Sequence, residues 1–118
     1  FMTESSRPPG KTTIAPEVLV TIARLTALSV PGVSHLASTP SEVERFFNRS
    51  SSEGIKITIE NELVYADIYV IVQADFNVRD VGRAIQSKVS RAISEMVGME
   101  VGKINVHVED IDYSSTAL

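Results

Sequence analysis

The chain has 118 residues, of which 43% are hydrophobic and 22% are charged, and this composition excludes a fibrous or a wholly disordered protein. The absence of cysteine excludes disulfide bonds, thiolate zinc sites and a thiol nucleophile. Eleven basic and fifteen acidic side chains give a net charge of -4, which argues against sequence-blind binding of nucleic acid over the whole surface.

Residues 1–12 are predicted to form a flexible arm, because they are rich in serine, proline, glycine and charge. Phe1, which precedes Met2, is interpreted as a cloning remnant and takes no part in the fold. No apolar run reaches the ~20 residues that cross a bilayer, and the N-terminus lacks the pattern of a signal peptide. We therefore expect a cytoplasmic protein.

One domain is predicted over residues 13–112, and it opens with a helix over 16–29. Pro16 suits the first helical position, and the Pro31-Gly32 pair ends the helix. The spacing predicts a core stripe made of Val18, Leu19, Ile22, Leu25 and Val30. The helix has further apolar residues on its outer side, Val20 and Leu28 among them. Either a short helix carrying Phe46 and Phe47 or a second subunit is expected to cover that side, and we favour the short helix.

The remaining elements follow from turn residues and alternation. A short strand is predicted over 33–37, a short helix opens at the capping box of 39–42, and 49–54 form a loop. Strict alternation of apolar residues with other residues predicts two antiparallel strands over 55–60 and 63–72. A long helix over 78–97 begins at Asn77 and ends at Gly98, and Gly82 within its apolar stripe predicts a close crossing by the first helix.

A last strand carries Ile104, Val106 and Val108 inward, and residues 113–118 form a short tail. Together these elements predict an α+β fold. Its form is a two-layer sandwich, in which a mostly antiparallel sheet of three or four strands carries two long helices on one face.

Motifs that carry chemistry are missing from the chain. Phosphate-binding glycine loops, zinc-protease helices and nucleophile elbows do not occur. The two histidines, His35 and His107, are far apart, so we predict no catalytic residue, no metal site and no cofactor. A small hydrolase or isomerase around Asp67 and His107 is the weakest alternative, because it needs an enclosed cleft.

The sheet face turned away from the helices is more informative. Alternation places Leu63, Tyr65, Asp67, Tyr69 and Ile71 there, beside Asn105, His107 and Glu109 of the last strand. This row is more apolar than a solvated face requires. The candidate interface residues are therefore Leu63, Tyr65, Tyr69, Ile71 and His107 on the sheet, with Val20 and Leu28 on the outer side of the first helix.

The polar side of the long helix offers an alternative function. Arg79, Arg83 and Arg91 form a basic strip that could approach phosphates in a nucleic-acid-binding module. Asp80 and Glu95 dilute the charge of the strip, and it has no aromatic residue for base stacking.

Several segments resemble the bacterial alkaline-shock-protein family, also known as the general-stress Gls family. The matching motifs are Ile14-Ala15-Pro16-Glu17-Val18, Val30-Pro31-Gly32-Val33, Asn77-Val78-Arg79-Asp80-Val81 and Ile104-Asn105-Val106-His107-Val108. They belong to a resemblance over about residues 10–112. It implies a non-catalytic protein of cell-envelope stress that self-assembles and, in some members, is tethered to the inner face of the membrane by a separate integral membrane partner.

The chain departs from the family pattern in two places. Ala74-Asp75 stands where many members have Tyr-Gly, and a short arm and residues 113–118 stand in place of the long charged tails of stress-induced members. The sequence therefore does not decide between a stress-induced protein and a housekeeping paralogue. It also does not identify the partner or the size of the assembly.

Overall fold

A computed structural model of the chain describes residues 9–38, 50–52 and 54–114. Its elements, in chain order, are α1 (Pro16–Leu28), β1 (Val33–Leu36), β2 (Ser50–Ser52), β3 (Ile55–Glu60), β4 (Leu63–Gln73), α2 (Val78–Val97) and β5 (Glu100–Asp112). The predicted α+β class is confirmed. The predicted short helix with Phe46 and Phe47 lies outside the described residues.

Both long helices begin where the sequence predicts. Pro16 stands at the start of α1, and Ala15 precedes it without a side-chain cap. At α2 the side-chain oxygen of Asn77 accepts hydrogen bonds from the backbone N–H groups of Arg79 at 2.9 Å and Asp80 at 3.1 Å. Gly98 ends α2 in the left-handed conformation, with φ of 78°, which glycine adopts without the steric cost of a Cβ atom.

The sheet is organised around β4. Strands β1 and β3 pair antiparallel with one edge of β4, β2 pairs with β3, and β5 runs parallel along the other edge. Strand β5 is parallel because α2 carries the chain back across the sheet before β5 begins. The described sheet has five strands, since Ser50–Ser52, within the predicted loop, pairs with β3.

Both helices cover the same face of the sheet. The residues of β4 on that face are at most 1% exposed, and they are Val64, Ala66, Ile68, Val70 and Val72. Helix α2 contributes Val81, Ile85, Val89 and Ile93 to this core. None of the described helices is both long and apolar enough to span a membrane.

The core side of α1 differs from the predicted stripe. Val18 and Leu25 are 44% and 58% exposed, whereas Ala23 and Ala27 are fully buried. Leu19, Ile22 and Val30 of the predicted stripe are buried as expected. Small alanine side chains let a helix approach its neighbours closely, so the core side is centred towards Ala23 and Ala27 and away from Val18 and Leu25. Val20, 6% exposed, therefore belongs to the core and not to the outer side.

The predicted close crossing at Gly82 is also wrong. A Cβ atom at Gly82 would meet no neighbouring atom within 4 Å, so α1 does not pack there. Gly82 instead borders an open depression between α2 and β5, together with Val106 and Val108.

Candidate functional site

The face of the sheet opposite the helices carries the predicted interface residues. We call it the tyrosine face, and it consists of Leu63, Tyr65, Asp67, Tyr69 and Ile71 of β4 with Asn105 and His107 of β5. The five β4 side chains are all half-buried. Within residues 9–38, 50–52 and 54–114 both helices lie on the other face, so no described helix covers the tyrosine face.

A network of side chains links the two strands on this face. His107 Nε2 lies 3.0 Å from Asp67 Oδ1, and Asn105 Nδ2 donates to the same oxygen at 3.1 Å. The rings of Tyr69 and His107 stack with their centroids 4.4 Å apart and their planes 14° apart. These four side chains therefore hold one another in place, because they are neighbours along the strand or across the parallel ladder.

Lys56 is a further member that sequence reasoning missed. It lies opposite Asp67 in β3 and is only 5% exposed. Its Nζ lies 5.4 Å from the centroid of the Tyr69 ring, within the range of a cation–π interaction. The alternation of residues along β3 places Lys56 on the tyrosine face, but no sequence signal predicts that a lysine there is buried.

Tyr65 lies directly against the backbone of Gly102. A Cβ atom at Gly102 would come within 2.7 Å of the Tyr65 ring, so the ring occupies the space that any larger residue would fill. The ladder between β4 and β5 shifts register here, since Val64 pairs with Val101 and Tyr65 with Lys103.

Asp112 lies at one end of the tyrosine face. Its carboxylate accepts hydrogen bonds from the Ser34 hydroxyl of β1 and from Ser114 through Oγ at 2.6 Å and N–H at 2.9 Å. The hydrogen bond from the Ser114 side chain, followed by that from Ser34, lowers the pKa of Asp112 to about 2. His35 Nδ1 lies 3.0 Å from Ser34 Oγ, so His35 is part of this cluster and not a partner of His107.

Several depressions on the described surface lie away from the His107–Asp67 pair. Besides the depression at Gly82, one lies beside the β3–β4 turn, around Ile59 and Leu63, and another is bordered by Arg24, Leu28, His35 and Leu36. In the described part of the chain no three His, Asp or Glu side chains are placed to share a metal ion.

The remaining predicted site residues lie on the two helices. Leu28, 39% exposed, does lie on the outer side of α1. On α2, Arg83 pairs with Asp80 at 3.2 Å and Arg91 with Glu95 at 3.3 Å. Two of the three arginines of the basic strip therefore have carboxylate partners on their own helix, which weakens the case for phosphate binding.

Comparison with known proteins supports a family assignment. Residues 4–113 match the model of the alkaline shock protein 23 family, which is described as having a cell envelope-related function. The chain is 27% identical over 110 residues to the uncharacterized protein YqhY of Bacillus subtilis (strain 168), covering 92% of this chain and 82% of that one. It is 33% identical over 103 residues to the uncharacterized protein Spy1535 of Streptococcus pyogenes serotype M6, covering 86% and 79%.

The fold also has solved counterparts. The copper form of MamM CTD matches with a TM-score of 0.58 at 15% identity, covering 86% of this chain and 91% of that chain. A second MamM CTD structure matches with the same TM-score at 16% identity, covering 86% and 80%. At these identities the likeness concerns the fold.

Proposed function

The chain belongs to the alkaline shock protein 23 family, whose function is related to the cell envelope, and we propose that it serves this function as a non-catalytic interaction domain. The tyrosine face is the surface through which it binds another protein, either a further copy of itself or a component of the envelope. A cytoplasmic location and attachment to the inner face of the membrane through an integral membrane partner belong to the same proposal, and they rest on the family resemblance.

The observation that carries the proposal is the stack of Tyr69 on His107, held by Asp67 and Asn105 on a face that no described helix covers. Aromatic side chains contribute most to binding at protein interfaces when a partner surrounds them. Side chains that are already fixed lose little rotamer entropy on binding. The half-buried Leu63 and Ile71 extend the apolar area at either end of the row.

The same geometry favours recognition over catalysis. The His107 ring is paired with a carboxylate and stacked on a phenol, and both pair members lie on an open strand face with side chains 40% and 35% exposed. General acid–base catalysis needs a substrate enclosed beside the pair, and the depressions described above are elsewhere. We therefore assign the pair a positioning role for Tyr69.

Photo-crosslinking in the native bacterium tests the proposal. A photoreactive phenylalanine derivative at Tyr65 is expected to give a discrete protein adduct, and the mass of the adduct distinguishes a second copy from another protein. The matched control carries the same group at Ser87, an exposed residue of α2, where we expect no such adduct.

Dependence on Tyr69 makes the test specific. Tyr69→Glu places a charge in the stack and should abolish the Tyr65 adduct, whereas Ser87→Glu, which adds the same charge to exposed α2, should leave it unchanged. Circular dichroism checks that both variants stay folded. An adduct that survives Tyr69→Glu, or equal adducts from Tyr65 and Ser87, contradicts a role for the tyrosine face.

A further inference from the structure

The outer edge of β5 is free among the described elements. Strand β5 spans 13 residues and pairs only with β4 in the part of the chain that the structure describes. The side chain of Gln86 donates to the Ile104 carbonyl oxygen at 3.1 Å, which places that carbonyl on the free side. Because backbone groups alternate along a strand, Val106 and Val108 also present their N–H and C=O groups there.

The geometry of β5 limits where another strand can pair. The ladder to β4 shifts register at Gly102 and at Glu109, so the regular part of β5 is residues 103–108. An unpaired regular edge is a template for a further strand. On the helix side this edge is apolar, since Val108 is 38% exposed and Val106 is half-buried.

There is also room beside the edge. The open depression of about 300 Å³ runs along β5 next to α2. Val78, 38% exposed, lies on its helix side with Gly82, whose missing side chain leaves the space open. Arg79, Arg83 and Gln86 complete the lining of the depression. A strand added at this edge would cover the apolar side chains of Val78 and Val108.

We propose that the strand added here is β5 of a second copy, antiparallel, with the two-fold axis at Val106. Val106 then faces Val106 of the second copy, and Ile104 faces Val108 of the second copy. Each of these pairs can exchange two backbone hydrogen bonds. The Ile104 carbonyl can keep its bond to Gln86, because a carbonyl oxygen accepts two hydrogen bonds.

Charge complementarity selects this occupant and this register. With the axis at Val106, residues 104–108 pair within the regular segment. Lys103 then stands opposite Glu109 of the second copy, the residue at the second register shift, and symmetry creates the pair twice. Both side chains are exposed, and opposite charges on facing positions stabilise an antiparallel pair whereas like charges destabilise it. An axis moved to Asn105 would place Lys103 opposite His107 and leave Glu109 opposite Val101.

The edge pairing goes beyond the proposed function and does not depend on it. It places Asn105 opposite His107 of the second copy, so that the tyrosine faces of the two copies form one continuous surface. A partner could then bind both faces at once, but the edge pairing can hold without any such partner.

Charge reversal tests the register directly. Lys103→Glu and Glu109→Lys each create two like-charged pairs, so each should weaken self-association in low salt by roughly tenfold. The double variant restores opposite charges and should recover most of the affinity. Residues 103 and 109 of one chain are about 20 Å apart along a strand, so the recovery must come from contact between copies.

Mixing the two single variants is the sharper experiment. In the mixed dimer both pairs are again opposite in charge, so native mass spectrometry with one variant isotopically labelled should find the mixed dimer in clear excess over the statistical half. A statistical mixture, single variants that associate like the parent, or a parent chain that stays monomeric at high micromolar concentration would overturn the proposal. A dimer broken by Tyr69→Glu but indifferent to charge reversal would also overturn it, in favour of contact through the tyrosine face.

Discussion

The two faces of β4 place neighbouring residues of one strand in opposite environments. The residues beneath α1 and α2 are at most 1% exposed, whereas the alternate residues on the tyrosine face are half-buried and are linked by a stacked ring pair and shared hydrogen bonds. Aliphatic packing on the first face stabilises the domain. The second face holds its side chains in position without a described helix above them, so under the proposed function the strand separates stability from recognition.

Two isoleucines three positions apart test this separation with the same substitution. Ile68→Ala removes a fully buried side chain and should lower the free energy of unfolding by about 2–5 kcal/mol, since it leaves a cavity. Ile71→Ala, on the half-buried tyrosine face, should lower it by about 1 kcal/mol, because the site is partly hydrated already. Urea unfolding followed by circular dichroism measures both.

The same two substitutions should also differ in their effect on binding through the tyrosine face. Ile71→Ala should weaken binding through the tyrosine face while the domain stays folded. If the two variants lose equal stability, a further layer of the protein buries Ile71 and the proposed division between the two faces is wrong.

Gly102→Ala should disturb the tyrosine face and leave the helix face intact. The added methyl group would overlap the Tyr65 ring, 2.7 Å away, and overpacking of this kind costs about 1–3 kcal/mol. Since Tyr65 can swing towards solvent, we expect the lower end of this range. Nuclear magnetic resonance should show chemical-shift changes at Tyr65 and its neighbours but not at Ile68 or Ile85. Changes spread through the core would contradict this prediction.

Gly82→Ala is the matched substitution on the helix layer, and its effect should have the opposite sign. Nothing lies within 4 Å of the added methyl group, and alanine is favoured over glycine inside a helix by about 0.8–1 kcal/mol. The free energy of unfolding should therefore rise by nearly this amount, as measured by urea unfolding. A loss of stability would mean that another part of the protein does pack closely against Gly82, as its place in the apolar stripe predicts.

Much of the fold was predictable because its signals are local. The alternation of β4 and the caps of α2 each follow from residues adjacent in sequence, and the structure has α2 at the predicted 78–97. Leu19, Ile22 and Val30 of the predicted stripe of α1 are buried, but the rest of its buried side was not predictable in the same way. It depends on which residues the sheet and α2 approach closely, and the small Ala23 and Ala27 carry too little hydrophobicity to mark it.

The site divides along the same line. Alternation alone placed Tyr65, Tyr69 and Ile71 on one face, with His107 of the last strand beside them. The burial of Lys56 and the seat of Tyr65 on Gly102 depend on cross-strand register. A register shift of one residue at Gly102 has no composition signal, so these contacts could come only from the structure.

The smallest effect is expected at the end of the tyrosine face, where Ser34 and Ser114 hold the carboxylate of Asp112. Because these hydrogen bonds lower the pKa of Asp112 from 3.8 to about 2, the ionised form stabilises the fold above pH 3.8, and this contribution is lost as the pH falls towards 2. Asp112→Asn should therefore lower the thermal midpoint slightly at neutral pH, and its difference from the parent chain should shrink between these two pH values. Glu100→Gln, an exposed substitution in the same strand, is the control. A difference between Asp112→Asn and the parent that stays constant down to pH 2 would mean that the carboxylate contributes to stability by its shape and not by its charge.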